Sequence, residues 1–265
     1  MMQKHKSVIS VLKVFLKNYS RAYQLRHKKK IRKSFFLYKH AVKNLEGLEI
    51  GGPSRIFKKV LPIYHYSQSI DGVNFSESTL WEKDLTDSSA YNYYFDKTGT
   101  QFIMEATNLE KIQSSFYDFV ASSHCLEHTA NPLKALLEWK RVVKEDGYLI
   151  LVLPNKINNF DRNRATTKFS HILDDFKMDI SEHDLTHLDE IVAKHDYDLD
   201  SGSESMENFI KRGKNNFVYR GLHHHVFDEE LVELMLSWCQ LKLFNLESDN
   251  NNIFVLAQKN SSIKR

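Results

Sequence analysis

The sequence predicts an α/β protein built on a mostly parallel, seven-stranded sheet with an antiparallel last strand and helices on both faces. Three observations carry that expectation. Short apolar runs recur at 45–50, 69–73, 101–104, 118–121 and 148–153, and the last, Tyr148-Leu149-Ile150-Leu151-Val152-Leu153, is apolar at successive positions, as suits a strand covered on both faces. Between the fourth and fifth runs lies one well-marked helix, so the chain passes from strand to helix to parallel strand. Two closing runs, 241–246 and 252–258, are joined by the turn-prone Ser248-Asp249-Asn250-Asn251, too short for a crossover, so they pair antiparallel at the sheet edge.

The chain begins with a basic segment. Residues 1–44 hold 13 Lys or Arg and no Asp or Glu, against 24 basic and 34 acidic residues in the remainder of the 265. Ile9, Leu12, Phe15, Leu16, Tyr19 and Tyr23 recur at helical spacing, so 7–40 reads as helix. Such a helix either docks on the body, its basic face solvated or set against acidic surface, or lies on an anionic membrane or on nucleic acid. The boundaries that follow are a basic helical extension over 1–44 and a main domain over 45–260. The apolar run 8–16 is too short to cross a bilayer, and no small-residue cleavage site follows it. Two cysteines far apart, Cys125 and Cys239, exclude a disulfide framework or a thiolate zinc site and fit a reducing, cytoplasmic setting.

In the body, Leu48-Glu49-Ile50-Gly51-Gly52-Pro53-Ser54 ends a strand on a carboxylate and turns through two glycines, which lets backbone N–H groups approach a ligand and leaves the acid free to accept hydrogen bonds. Asp71 lies twenty residues beyond Gly51, about where a second strand sets an acid against a ribose diol. Asn131 caps the well-marked helix, Pro132 opens it, Leu133, Leu136, Leu137 and Val143 form its inner face, and Asp146-Gly147 closes it. Residues 155–220 are polar, with no long apolar stripe, and read as a lid or a loosely ordered insertion. Asp228 caps a late helix through Leu231, Leu234, Met235 and Trp238.

In order, these elements resemble the class I S-adenosylmethionine-dependent methyltransferases, a Rossmann-like family, over roughly 45–258. Glu49-Ile50-Gly51-Gly52-Pro53-Ser54 is a variant of the family's first motif, with Pro53 and Ser54 where a third glycine is usual. The run Tyr117-Asp118-Phe119-Val120-Ala121-Ser122-Ser123-His124-Cys125-Leu126-Glu127-His128, then Asn131-Pro132 and Asp146-Gly147, is similar to type 11 methyltransferase domains. The subgroup it looks like carries the Gly-Gly-Pro loop, a Phe-Asp-x-x-Arg lid, here Phe160-Asp161-Arg162-Asn163-Arg164, and a His-His-His run, here His223-His224-His225. The resemblance implies cofactor contacts from Glu49, Gly51, Gly52, Asp71, Glu105 and Ala106. A nicotinamide dehydrogenase would need Gly-x-Gly-x-x-Gly after the first strand, which Gly51-Gly52-Pro53 does not provide.

His124, Glu127 and His128, at i, i+3 and i+4 behind the fourth strand, share a face if a helix begins there. They resemble the Glu-x-x-Glu-His metal motif of some O-methyltransferases. Completed by one of His223, His224 and His225, with His224 taken as the candidate, they are expected to hold Mg or Mn, which would lower the pKa of an acceptor hydroxyl. The plainer reading is a helix cap. His128, and His187 beside Asp184, are the expected general bases. The expected reaction is O-methylation of a polar small molecule or glycan. The competing reading is a non-catalytic, cofactor-binding scaffold anchored by its basic helix. Peripheral membrane contact through 7–40 is open, and nucleic acid is not expected as a partner, given the acidic body.

Overall fold

The computed structural model describes residues 31–200 and 205–260. Eight strands form one sheet: β1 (Glu46–Ile50), β2 (Ser69–Asn74), β3 (Ala90–Tyr94), β4 (Lys97–Ile103), β5 (Tyr117–Ser123), β6 (Val143–Pro154), β7 (Leu241–Ser248) and β8 (Asn252–Lys259), in the order β3-β4-β2-β1-β5-β6-β8-β7. The pairs from β4 through β6 are parallel, and β8 runs antiparallel between β6 and β7. The antiparallel last strand is as expected. The eighth strand is β3, which forms an antiparallel hairpin with β4 at the opposite edge. Its signal is only the alternation of Tyr91 and Tyr93, both buried, across five residues.

Helices cover both faces. On one side lie α1 (Phe35–Val42), α2 (Arg55–Lys59) and α3 (Ile63–Tyr66), packing Tyr38, Phe57 and Tyr64 against Phe119, Ile150, Val152 and Phe254. On the other, α4 (Pro132–Val142) sets Leu133, Leu136 and Trp139 against Leu48, Val120, Leu149 and Leu151. Successive residues of β5 and β6 thus face opposite cores, which is why those runs are apolar throughout. The Asn131 side chain accepts from Lys134 N at 3.1 Å as the cap of α4. The helix stops at Val142, four residues before Asp146. Asp146 instead takes a positive φ within β6. A Cβ on Gly147 would lie 2.6 Å from Asp118 O, so that crossing requires glycine.

Part of the basic segment belongs to the domain. Phe35, Tyr38 and Val42 lie on one helical face and are buried, while Arg32 stacks 3.9 Å over the Phe254 ring and pairs with Glu247 and Asp249. The described part of the 1–44 segment, from residue 31, thus docks on the main domain, the first of the two readings given for it. Residues 7–30 of the expected helix lie outside the described residues. Among the described residues no helix is long and apolar enough to cross a membrane.

The insertion after β6 is helical, with α5 (Phe169–Lys177), α6 (Leu188–Lys194), α7 (Met206–Lys214) and α8 (Asn216–Tyr219) before α9 (Glu229–Trp238), which Asp228 caps at 2.9 Å. Its own apolar cluster is small: Leu188, Ile191, Phe209 and Leu222. α5 docks on the main core through Ile172, Phe169, Leu173 and Phe176, and polar contacts bind the remainder.

Candidate active site

The strand order reverses between β1 and β5. In open α/β sheets the crevice at the carboxyl ends of such strands receives ligands. Here it is a cavity of about 210 Å³, lined by Gly51, Gly52, Asn74, Glu105, Ala106 and Cys125 among others. Gly51 has a φ of +77°, and a Cβ there would press on Cys125 at 3.0 Å. At Gly52 a Cβ would fall 2.2 Å from Glu49 Cδ and Tyr91 Oη. The two glycines thus let the turn close on Cys125, Glu49 and Tyr91 while its backbone lines the cavity. The Cys125 thiol is pushed by burial up to about 12 and stays protonated.

Two expected cofactor contacts lie elsewhere. Glu49 is fully buried behind the loop. It accepts from Tyr64 Oη at 2.6 Å, Tyr91 Oη at 2.7 Å and Ser54 N at 3.0 Å, so its acceptors are used in shaping the turn. Asp71 sits in mid-strand and accepts from Thr100 N and Tyr117 Oη, each at 2.6 Å. β2 runs three residues beyond Asp71, and Asn74, at its carboxyl end, lines the cavity and donates to Gly52 O at 3.1 Å. Asn74, which the expectation did not name because it favoured an acid, is the polar side chain that β2 brings to this cavity. Glu105 and Ala106 do line the cavity. Glu105 forms a two-pronged pair with Arg220, at 2.6 and 3.1 Å, and Arg220 also lies 3.3 Å from Glu182. Burial pushes the Glu182 carboxyl up to about 7 despite Arg220.

A second cavity, about 630 Å³, adjoins the first. Trp81, His124 and His128 line both. The outer cavity is walled by Asn158, Asn159, Asn251 and Asn252 with the rings of Phe160 and Phe209. Leu126–His128 is a single 3-10 turn, not the start of a long helix. His124, at a φ of +53°, turns its Nε2 to Asn252 Oδ1 at 2.7 Å.

His128 Nδ1 is 3.1 Å from Leu222 O. A carbonyl only accepts, so Nδ1 carries the proton and Nε2 keeps its lone pair. Burial, then the neighbouring His223, hold the His128 pKa well below the ordinary histidine value, so this ring is neutral. Glu127 is fully buried with neither carboxylate oxygen hydrogen-bonded, and burial raises its pKa.

The three late histidines go three ways. His223 Nδ1 meets Asp161 Oδ2 at 2.5 Å, and its ring lies 4.7 Å from that of His128. His224 packs inside the insertion, 3.0 Å from Asn216 Nδ2. His225 lies beside Ala130 O at 3.2 Å. Burial would raise the Asp161 carboxyl, but His223 and Arg164 outweigh it and hold it at about 2. Arg164 also donates to the carbonyls of His223 and His224, at 2.8 and 3.2 Å. The Phe-Asp-x-x-Arg and His-His-His segments are thus two halves of one lock.

Of the expected metal set, Glu127 and His128 stand together, but their third neighbour is His223. The ligating atoms of these three lie within 4.8 Å of one another. His224 packs inside the insertion, away from this group, and His124 stands 3.6 Å from Glu127 Oε1 but turns its other nitrogen to Asn252. His187 lines neither cavity, its Nε2 lying 3.0 Å from His171 Nε2.

A family model described as a methyltransferase domain matches residues 48–151. No curated protein matches the chain. Among solved structures, the chain is similar to an S-adenosylmethionine-dependent methyltransferase from Mesorhizobium loti, at 10% identity and a TM-score of 0.51, over 85% of this chain and 95% of that one. It is also similar to a methyltransferase from Methanosarcina mazei, at 15% identity and 0.49, over 86% and 98% respectively.

Proposed function

We propose, for a chain that carries a class I S-adenosylmethionine-dependent methyltransferase domain, that it moves a methyl group to a hydroxyl of a polar small molecule or glycan, with His128 as general base. The observation that carries this reading is the meeting of a glycine-lined cavity and a larger polar cavity at His128, a neutral imidazole with a free Nε2.

S-adenosylmethionine, when bound, supplies a methyl made electrophilic by the adjoining sulfonium. The remaining tasks fall to this chain's residues. Gly51 and Gly52 admit the cofactor close to backbone, Asn74 offers amide groups to the ribose, and Glu105 with Ala106 borders the base. His128 Nε2 takes the proton that an acceptor hydroxyl loses. The Leu222 carbonyl holds that ring in its tautomer. The asparagine and aromatic walls suit hydroxyl-rich acceptors, since amides bond hydroxyls and aromatic faces cover the apolar faces of sugar rings.

One observation favours a second reading, in which a divalent metal assists. The Glu127 oxygens have no hydrogen-bond partner, and His128 and His223 stand beside them. Two imidazoles and one carboxylate suit Mn or another transition metal rather than Mg, which prefers oxygen ligands. A metal held there would act as a Lewis acid toward the acceptor oxygen.

Calorimetric titration with S-adenosylmethionine tests the cofactor assignment. Asn74→Ala is expected to weaken binding about tenfold, the worth of one or two lost hydrogen bonds, and Asp71→Ala to leave it within twofold. The reverse ranking would return the ribose to Asp71. Absence of binding by the unaltered protein would leave the scaffold reading.

A further inference from the structure

We propose that the insertion carries a structural transition-metal site of the zinc class, made by His171, Asp175, His187 and His225 and separate from both cavities. His171 and Asp175 stand at i and i+4 on one face of α5, His187 precedes α6, and His225 enters from the chain leading to α9. One ligating atom from each lies within 4.8 Å of the other three.

Three of the six separations among the four ligating atoms are close to the edge length of a tetrahedral zinc cage. His171 Nε2 lies 3.0 Å from His187 Nε2 and 3.3 Å from Asp175 Oδ2, and His225 Nε2 lies 3.7 Å from that oxygen. Ligands about 2.0–2.1 Å from a zinc ion stand roughly 3.3 Å apart along the tetrahedron's edges. Asp175, 5% exposed, aims Oδ2 into the group, and this oxygen has no hydrogen-bond partner. His225 is 1% exposed, and its Nε2, the nitrogen that faces Asp175, lies 3.2 Å from Ala130 O, a carbonyl it gives up when it takes a cation. A cation beside Asp175 Oδ2 supplies the partner that this buried oxygen lacks.

A purpose is visible in the packing. α5 joins the main core through Ile172, with Phe169, Leu173 and Phe176 packed beside it, whereas α6 and α7 share only the small cluster of Leu188, Ile191, Phe209 and Leu222. A four-ligand site joins α5, the entry to α6 and the segment carrying His223, which walls the outer cavity. Four protein ligands leave no open position, the pattern of structural rather than catalytic zinc. The site would fasten the lid and, through His225, fix the height of His223 beside His128.

The test uses the full chain stripped with a chelator and titrated with zinc ion alone, read by metal content and thermal unfolding. One zinc per chain and a raised melting temperature are expected, with an X-ray absorption signature of nitrogen and oxygen ligands and no sulfur. His171→Ala and His187→Ala, both at partly exposed positions, should weaken zinc binding by about 100-fold or more while unfolding like the stripped unaltered protein. Zinc should also slow proteolysis within 155–220 in the unaltered chain but not in these variants. Absence of tight zinc binding, equal affinity in the variants, or loss of binding only on Glu127→Gln would overturn the proposal.

Discussion

His128→Asn is expected to lower turnover with a hydroxyl acceptor by about 10²–10⁴-fold, the usual worth of a positioned general base, while cofactor affinity changes only a few-fold. Asparagine is the informative replacement, because its amide can still donate to Leu222 O and hold the 3-10 turn. What it lacks is a second nitrogen that can accept a proton at the junction of the cavities. The pH profile sharpens the expectation. His128 works as a base only while unprotonated, and burial together with His223 keeps its pKa well below the ordinary value. The unaltered enzyme should therefore hold its rate from pH 8 down past 6.5 and lose it only in more acid solution. His128→Asn should show no such acid limb in its residual rate. A variant with unimpaired turnover would remove His128 from the chemistry. A rate abolished by chelator and restored by Mn would favour the metal reading of Glu127, His128 and His223.

Much of this site could be read from the chain, and the misreadings have physical causes. The Gly51-Gly52 turn and the Asn131 and Asp228 caps rest on local chemistry, and local chemistry survives folding intact. The β5–α4–β6 unit was legible for the same reason, since apolar runs of that length and composition admit few other arrangements. Asp71 stands in mid-strand rather than at the cavity because spacing in the sequence does not fix where a strand ends. Pairing of Ile50 with Val73 fixes it, and carries the chain on to Asn74. Glu49 stands behind the loop because its partners, Tyr64 and Tyr91, come from a helix and an edge strand that the local sequence does not announce. The histidine run shows the same limit at the smallest scale. Three adjacent identical residues point to three environments, and only the packing of Asp161, Asn216 and Ala130 decides which is which.

Glu49→Gln is expected to gain stability relative to the unaltered protein as pH rises from 5 to 8, by up to about 3 kcal/mol. Burial is the main cause, only partly offset by the hydrogen bonds from Tyr64, Tyr91 and Ser54, and it lifts the Glu49 carboxyl to about 7. An acid whose folded value is raised binds its proton more tightly folded than unfolded. Its contribution is full below the unfolded value, about 4.3 for an ordinary glutamate, and is lost as pH climbs to about 7. Other buried groups act in the same range. Glu182, also near 7, has the same sign, whereas His224, lowered to about 4 chiefly by burial, makes the fold less stable as pH falls below 6.5. The pH dependence of the unaltered chain alone is therefore a sum of opposing slopes. The difference between the two proteins isolates Glu49. Glutamine should fit, since it keeps an accepting oxygen, tyrosine hydroxyls can accept as well as donate, and Ser54 N also lies 2.6 Å from Tyr64 Oη. Chemical denaturation at pH 5, 6, 7 and 8 measures the effect, and a difference that stays constant across that range would mean Glu49 ionises like an exposed acid. Cofactor affinity should change little at pH 6, because Glu49 stands behind the loop. A large loss there would put its carboxylate back among the groups that touch the ligand.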